Sequence, residues 1–164
     1  MATDRRRARF DELYREFAPR VAGYCRRRTD PEEAREVLAE TFLIAWRKLE
    51  SIPEDAPLPW LLATARRVLA NRRRAHRGTE PMPESRAPDH ADGVAGLLDL
   101  QRAFAQLSGE DRDTVALIAW DGLTVAEAAV VAGCTAGTFS VRLHRARKRL
   151  AVLMEPAAPV GGDR

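Results

Sequence analysis

Apolar residues recur at steps of three and four along most of the chain, and this spacing predicts helices. Pro19 is expected to bend the first helix or divide it, and the run 26–28 of three arginines is expected to end it. No stretch shows a convincing period of two, so the pattern indicates an all-α protein. The apolar stripe of the first helix consists of Phe10, Leu13, Tyr14, Phe17, Val21 and Tyr24.

Two more helices are predicted in the first half of the chain. Asp30 can cap the second helix and Glu33 would complete a capping box, and this helix extends to about Glu50. After a stretch with three prolines, the third helix runs from Trp60 to about His76. The buried faces are expected to contain Leu38, Phe42, Ala45, Trp46 and Leu49 in the second helix, and Leu61, Ala65, Val68 and Leu69 in the third.

The helical pattern stops over residues 78–96, which are acidic and rich in Pro and Gly. Such a composition is typical of a flexible linker between domains. Helical patterns resume at residue 97 and give way after 154 to Pro, Gly and Ala. The sequence therefore predicts two small helical domains, 1–77 and 97–154, with a disordered tail over 155–164.

The second domain contains a helix-turn-helix pattern. Thr124 and Glu127 form a capping box for its first helix, whose alanines would allow close packing on a neighbouring helix. Gly133 can adopt the left-handed conformation of the turn. Thr135 can cap the second helix, which extends to Leu150 or a little beyond. A basic second helix in such a motif is typical of DNA binding.

A helical wheel divides that second helix into two faces. The inward face consists of Phe139, Leu143, Ala146 and Leu150. The outward face consists of Ser140, Val141, His144, Arg145 and Lys148, with Arg142 and Arg149 on one flank and Arg147 on the other. Base edges and phosphates need such polar and basic side chains. The alternative interpretation is an amphipathic helix whose charges only keep it soluble.

Composition narrows the classes of function. The chain has 164 residues, of which 45% are hydrophobic, and a net charge of +3. Its start lacks the apolar segment of a signal peptide and no run approaches a membrane span, so we expect a cytoplasmic protein without membrane insertion. Neither the cysteines nor the histidines show the spacing of a metal site or a catalytic pair, so we expect no enzyme, cofactor, metal or small-molecule substrate.

Five segments together resemble a bacterial sigma factor of the extracytoplasmic-function (ECF) group in the sigma-70 family. The segments Glu33–Trp46 and Pro59–Arg66 are similar to the family's second conserved region. The segments Leu107–Arg112, Asp121–Ala129 and Gly137–Arg147 are similar to its fourth region. The two blocks occur in the family's order, with a linker where the family has one.

The resemblance implies a dissociable initiation factor that acts as a monomer within the RNA polymerase holoenzyme. Its partners would be core RNA polymerase and promoter DNA, and an anti-sigma protein is a further possible partner. The first domain would bind polymerase, read the minus-10 element and help to melt it. The second would read the minus-35 element.

The resemblance also assigns roles to residues. The expected minus-35 contacts are Thr138, Ser140, Val141, Arg142, His144, Arg145, Lys148 and Arg149. Among these, Ser140, Val141, His144 and Arg145 are expected to read bases and Arg142, Lys148 and Arg149 to contact phosphates. The expected minus-10 and single-strand contacts are Trp60, Arg66, Arg67, Asn71, Arg72, Arg73 and Arg74.

One face of the second helix is predicted to bind a protein. It combines charged side chains with two aliphatic ones, a mixture that is typical of a partner site, and by resemblance the partner is polymerase. An ordinary solvated face is the alternative. Arg35, Ala39 and Arg67 depart from the family pattern and leave the polymerase contact and the minus-10 preference open. The face consists of Glu33, Glu36, Glu40, Leu43, Ile44 and Arg47.

Two other classes of protein are compatible with these residues. A stand-alone helix-turn-helix regulator would bind duplex DNA as a dimer at paired half-sites. A helical adaptor would bind proteins without binding DNA. A sigma factor differs from both because it directs initiation by core polymerase.

Overall fold

The computed structural model describes residues 1–76 and 95–155, and every regular element in these two ranges is helical. Within these ranges no helix is both long and apolar enough to cross a lipid bilayer. The α-helices in chain order are α1 (Ala2–Arg26), α2 (Pro31–Arg47), α3 (Pro57–His76), α4 (Ala95–Gln106), α5 (Gly109–Ala119), α6 (Val125–Ala132) and α7 (Ala136–Met154).

Polar side chains cap the starts of the helices, as the sequence predicts. A carboxylate oxygen of Asp30 accepts hydrogen bonds from the backbone N–H groups of Glu32 and Glu33, each at 3.0 Å. Ser108 accepts from the Asp111 N–H at 3.1 Å and so caps α5. The predicted capping box at α2 differs in one contact, because the Glu33 carboxylate accepts from the Thr29 hydroxyl.

Prolines interrupt the helices less than the sequence predicts. The helix α1 is not divided at Pro19. A proline there costs one backbone hydrogen bond, and the burial of Leu13 and Val21 on either side outweighs that cost. Similarly, α3 begins at Pro57, three residues before the predicted start at Trp60. The N–H groups in the first turn of a helix have no acceptor within the helix, so a proline at this position loses no hydrogen bond.

Two other helix ends differ from the prediction. The helix α2 ends at Arg47, and a short 3-10 turn over Leu49–Ser51 replaces its expected last turn. The helix α4 begins at Ala95, so residues 95 and 96 are helical although they were assigned to the linker. The helix α7 continues to Met154, in agreement with a predicted end a little beyond Leu150. The rest of the predicted linker and the tail from residue 156 lie outside the described residues.

The largest hydrophobic core includes residues from both halves of the chain. Val21 and Leu61 are fully buried in the N-terminal half, and the same cluster continues into α6 and α7 through Ala128 and Phe139. A smaller cluster joins α4, α5 and α7. The alanines of α6 allow this short helix to lie close against both α3 and α7. The two halves therefore pack against each other through α6 and α3.

The predicted buried positions are largely correct, with a few exceptions. Tyr14 belongs to the predicted stripe of α1 but is 47% exposed, although its ring contacts that of Phe42 with the ring centroids 4.7 Å apart. Leu38 and Trp46 are half-buried. The predicted faces of α3 and α7 are confirmed: Leu61, Ala65, Val68, Leu69, Phe139, Leu143 and Ala146 are buried, and Leu150 is half-buried.

Candidate nucleic-acid and partner interfaces

The helix-turn-helix is held by local contacts around its turn. The Thr124 hydroxyl accepts from the Glu127 N–H at 3.2 Å and so starts α6. Gly133 ends α6 with a φ of 71°, a left-handed conformation that strongly favours glycine. The Thr135 hydroxyl then accepts from the Thr138 N–H at 3.1 Å and starts α7. The predicted turn and both of its caps are therefore present.

The outward face of α7 is accessible to a ligand. Phe139, Leu143 and Ala146 are buried beneath this helix and fix its rotation about its own axis. Arg142 is half-buried, and the other predicted minus-35 residues are exposed. The exposed members are Thr138, Ser140, Val141, His144, Arg145, Lys148 and Arg149.

Two arginines on one flank of α7 interact with the beginning of α5. Arg149 donates to the Asp111 carboxylate at 2.6 Å, and Arg142 lies 3.6 Å from the Glu110 carboxylate. These acids stand in the first turn of α5. Within residues 1–76 and 95–155, no acidic side chain forms such a pair with Arg145 or Lys148. The flanking arginines are thus oriented by α5, while the centre of the face points away from the protein.

The predicted strand-binding residues of α3 include several with contacts inside the protein. Arg66 donates to the Ala132 carbonyl at 3.0 Å. Arg73 donates to the Arg28 carbonyl at 2.8 Å, and Arg74 donates to the Asn71 side chain. Two further residues of this set are Trp60, which is half-buried, and Arg67, which is exposed.

Arg72 joins the predicted strand-binding set to the predicted polymerase-binding set. Its guanidinium donates to Glu36 at 2.5 Å and to Glu40 at 3.2 Å. These hydrogen bonds, first of all the one with Glu36, raise the pKa of Arg72 above its usual value. The sequence predicts separate partners for these three side chains, and it does not predict their contact between α2 and α3.

The predicted polymerase-binding face of α2 is exposed at its centre. Leu43 is 49% exposed, so its apolar side chain is available to a partner. Arg47 is also exposed. Ile44 differs from the prediction that it faces away from the core, because it is half-buried and packs against the core.

A cluster of charges around the buried Asp121 joins the two halves of the chain, and the sequence does not predict it. Arg28 donates to Asp113 at 2.7 Å and to Asp121 at 2.9 Å, and Arg27 also donates to Asp121. Arg20 donates to the Asp121 carbonyl at 2.8 Å. Burial alone would lower the pKa of Arg28, but Coulombic contacts with its neighbours, the two aspartates among them, raise it above the usual value.

Beside this cluster lies an open cleft of about 880 Å³ between the two halves. Its walls include Arg66, Arg67 and Arg73 from α3, and Arg112 and Trp120 from the C-terminal half. Tyr24 also borders the cleft, and burial raises the pKa of its hydroxyl group above the usual value. The cleft is therefore basic and partly aromatic, a chemistry that suits nucleic acid.

Comparisons with known proteins identify the family of this chain. The family description "Sigma-70 region 2" matches residues 13–79, and "Sigma-70, region 4" matches residues 97–150. The ECF RNA polymerase sigma factor SigC of Mycobacterium tuberculosis is 34% identical over 139 residues, which cover 78% of this chain and 74% of SigC. SigL of the same species is 31% identical over 154 residues, which cover 87% of each chain.

Solved structures share the fold. The sigma factor RpoE of Bartonella quintana, in complex with the anti-sigma factor NepR, has a TM-score of 0.69 at 23% identity, covering 91% of this chain and 98% of that one. CnrH, in complex with the cytosolic domain of CnrY, has a TM-score of 0.60 at 23% identity, covering 91% and 89%. With the relatives above, the family is shown: the chain belongs to the sigma-70 family as an ECF sigma factor, a factor that directs RNA polymerase to promoters.

Proposed function

We propose that this sigma factor reads a promoter at two points, with α7 on the minus-35 duplex and α3 on the melted minus-10 strand, while α2 binds core RNA polymerase. The observation that carries the proposal is the exposed face of α7, which is polar and basic and is backed by the buried Phe139. A stand-alone regulator would also need a dimer interface, and no observation favours one.

On the minus-35 side, Ser140, Val141, His144 and Arg145 read base edges in the major groove. Arg145 gives the strongest expected contact, because a guanidinium can donate two hydrogen bonds to guanine. Arg142 and Arg149 contact phosphates, and their ion pairs with the first turn of α5 support this role because they hold the guanidinium groups beside the groove-facing residues. Lys148 and Thr138 complete the phosphate contacts.

On the minus-10 side, Trp60 and the basic residues of α3 hold the melted strand. An aromatic ring can stack on an unpaired base, and guanidinium groups can follow the backbone. The strand-holding residues on α3 are Arg66, Arg67, Asn71, Arg72, Arg73 and Arg74.

Core polymerase binds the face of α2 around Leu43 and Arg47, with Glu33, Glu36, Glu40 and Ile44 contributing at its edges. The ion pairs of Arg72 with Glu36 and Glu40 support a link between this face and the strand-binding helix. A partner that competes for the two glutamates would also change the position of the Arg72 guanidinium. Polymerase capture and strand binding are therefore coupled through one side chain.

The cellular location of this factor follows from the location of its partners. Polymerase and promoter DNA are cytoplasmic in bacteria, so the factor acts in the cytoplasm as a monomer within the holoenzyme. The chemistry of RNA synthesis belongs to the polymerase, and the factor itself catalyses no reaction. An anti-sigma protein is a further partner, in line with the complexes of two structural neighbours.

Run-off transcription with purified core polymerase tests this proposal. The template carries the segment upstream of the factor's own operon, and the expected result is a discrete transcript that requires both proteins. Arg145→Ala should reduce that transcript. The matched control is Arg147→Ala, which makes the same charge change on the flank of α7 that is outside the predicted minus-35 set. If the two proteins together never start transcription above the level of core alone, the proposed function is wrong.

A further inference from the structure

The charged cluster between the two halves is placed to hold them together. Arg27 and Arg28, which directly follow α1, both donate to Asp121, which stands just after α5. Arg28 donates a second hydrogen bond, at 2.7 Å, to Asp113 on α5. We call these four residues, Arg27, Arg28, Asp113 and Asp121, the clasp. Each pair in the clasp joins one half of the chain to the other.

The centre of the clasp is buried, whereas the side chains of Arg27 and Asp113 at its edges are each 24% exposed. The Asp121 side chain is 2% exposed and that of Arg28 is 9% exposed. A buried carboxylate is tolerated only while its cationic partners remain in place. Removal of Asp113 together with Asp121 would leave the guanidinium groups of Arg27 and Arg28 without their counter-charge at the interface. Such a change favours separation of the halves, because separation returns the arginines to water.

Closure places α6 over the middle of α3, where the strand-binding residue Arg66 lies. The Arg66 guanidinium donates to the Ala132 carbonyl at the end of α6 and stands 3.6 Å from the Asp113 carboxylate. Both of these groups belong to the C-terminal half. A phosphate of the melted strand would need the same guanidinium donors, so strand binding at Arg66 competes with closure.

The other two surfaces remain accessible in the closed chain. The outward face of α7, with Ser140, His144 and Arg145, is exposed. Leu43 and Arg47 on α2 are exposed as well. Closure therefore blocks neither the minus-35 reader nor the expected polymerase contact taken singly. Closure instead prevents the chain from reading the minus-35 and minus-10 elements at the same time.

The spacing of the two promoter elements also requires the halves to separate. The centres of the two promoter elements are about 25 base pairs apart, which is about 85 Å of straight duplex. A compact chain of this length has a radius of gyration of about 15 Å. With α6 packed on α3, the two readers cannot reach both elements at once, so the halves must separate on the promoter.

We propose that the clasp makes this chain self-inhibiting: before it meets polymerase and promoter, Asp113 and Asp121 hold the helix-turn-helix half over the strand-binding helix. Opening then breaks the clasp and releases Arg66 for the melted strand. The consequence for promoters rests on the proposed function, but the closed state itself does not.

Energy transfer between two dyes measures closure directly, without polymerase or DNA. Dyes are attached at Glu12→Cys in α1 and Val152→Cys in α7, both exposed positions, in a Cys134→Ser background. Cys25 stays unlabelled because it is fully buried and burial raises its pKa to about 12. The variant Asp113→Ala with Asp121→Ala opens the clasp from one side. Asp99→Asn is the matched control, since Asp99 is exposed and pairs only within α4 among the described residues.

The wild-type chain and the Asp99→Asn control should show high transfer, and the double variant should show less than about half of it as the open state becomes populated. The double variant should also bind a single-stranded DNA of about 12 nucleotides some five-fold more tightly. Both aspartates belong to the C-terminal half. A second variant, Arg27→Ala, therefore opens the clasp by a change in the N-terminal half. Circular dichroism selects those variants that retain full helicity.

Low transfer in the wild type, or equal transfer in wild type and both helical clasp variants, overturns the proposal. These outcomes are independent of run-off transcription. A factor that never initiates but shows the clasp effect disproves the proposed function alone. A factor that initiates but shows no clasp effect disproves self-inhibition alone.

Discussion

The two DNA-facing helices, α7 and α3, carry similar basic residues but use them differently. In α7 the arginines with intramolecular partners stand on a flank, and Arg145 at the centre of the face is exposed. Those flank arginines, Arg142 and Arg149, are expected to contact phosphates, whereas in α3 most of the residues expected to hold DNA have intramolecular partners, Arg66 and Arg72 among them. The base-reading centre of α7 is therefore ready for its ligand, whereas α3 must exchange existing contacts for new ones. A basic residue in a sequence pattern therefore indicates what it can bind, and its present partner determines what binding costs.

The largest effect is expected from the residue that fixes the rotation of α7. Phe139 is fully buried, and Phe139→Ala should destabilise the C-terminal half by about 3–5 kcal/mol through lost burial and a residual cavity. Thermal unfolding followed by circular dichroism measures this change. The exposed neighbour Val141→Ala should change stability by less than about 0.5 kcal/mol. Equal losses from both variants would contradict the assigned orientation of α7.

Arg145→Ala should give the next largest effect, on DNA binding. Loss of a two-pronged base contact costs about 1–3 kcal/mol, so holoenzyme affinity for a duplex with the minus-35 element should fall accordingly. Fluorescence anisotropy measures that affinity, and core polymerase binding should not change. Arg147→Ala is the control with the same charge change. A comparable loss in the control would show that Arg145 contributes general charge and reads no base.

The polymerase-binding face should respond to charge reversal. Glu36→Lys with Glu40→Lys places two cations beside Arg72, so repulsion replaces both ion pairs. Affinity for core polymerase should fall about tenfold, which is about 1.4 kcal/mol. Surface ion pairs themselves contribute only about 0–1 kcal/mol, so folding should be nearly unchanged. Glu12→Lys, on an exposed part of α1, is the control. Unchanged affinity for core in a labelled-core titration would remove the glutamates from the interface.

The cap of α7 should contribute less. Thr135→Ala removes the acceptor for the Thr138 N–H and should cost about 1 kcal/mol of stability. Thr135→Ser keeps the hydroxyl and should restore most of that loss. Urea unfolding of both variants gives the two numbers. A serine variant as unstable as the alanine variant would show that the methyl group of Thr135, and not its cap, stabilises the turn.

The difference between α7 and α3 also explains how much could be predicted from the sequence. The turn at Gly133, the caps and the two faces of α7 depend on neighbours within a few residues, so local rules identify them. The pairing of Arg28 with Asp121 joins residues 93 positions apart, and no periodicity reports it. The arginines 26–28 were assigned to a helix end, which is where they stand, yet their partners come from the other half. The start of α3 at Pro57 differs, because a local rule would have found it: three prolines indicate a break, but a helix accepts proline in its first turn.

The smallest effect, and the sharpest test of the comparison, concerns Arg66. In the closed chain Arg66→Ala removes a strand contact and also contacts that hold α6 on α3, and these losses act in opposite directions on single-strand binding. The affinity should therefore fall less than about threefold, or about 0.65 kcal/mol. In the opened background Asp113→Ala with Asp121→Ala, only the strand contact remains to be lost, so the same substitution should cost clearly more. Anisotropy with a labelled single strand measures all four proteins of this cycle. Equal costs in the two backgrounds would mean that Arg66 binds the strand without giving up any contact, and α3 would then be as ready for its ligand as α7.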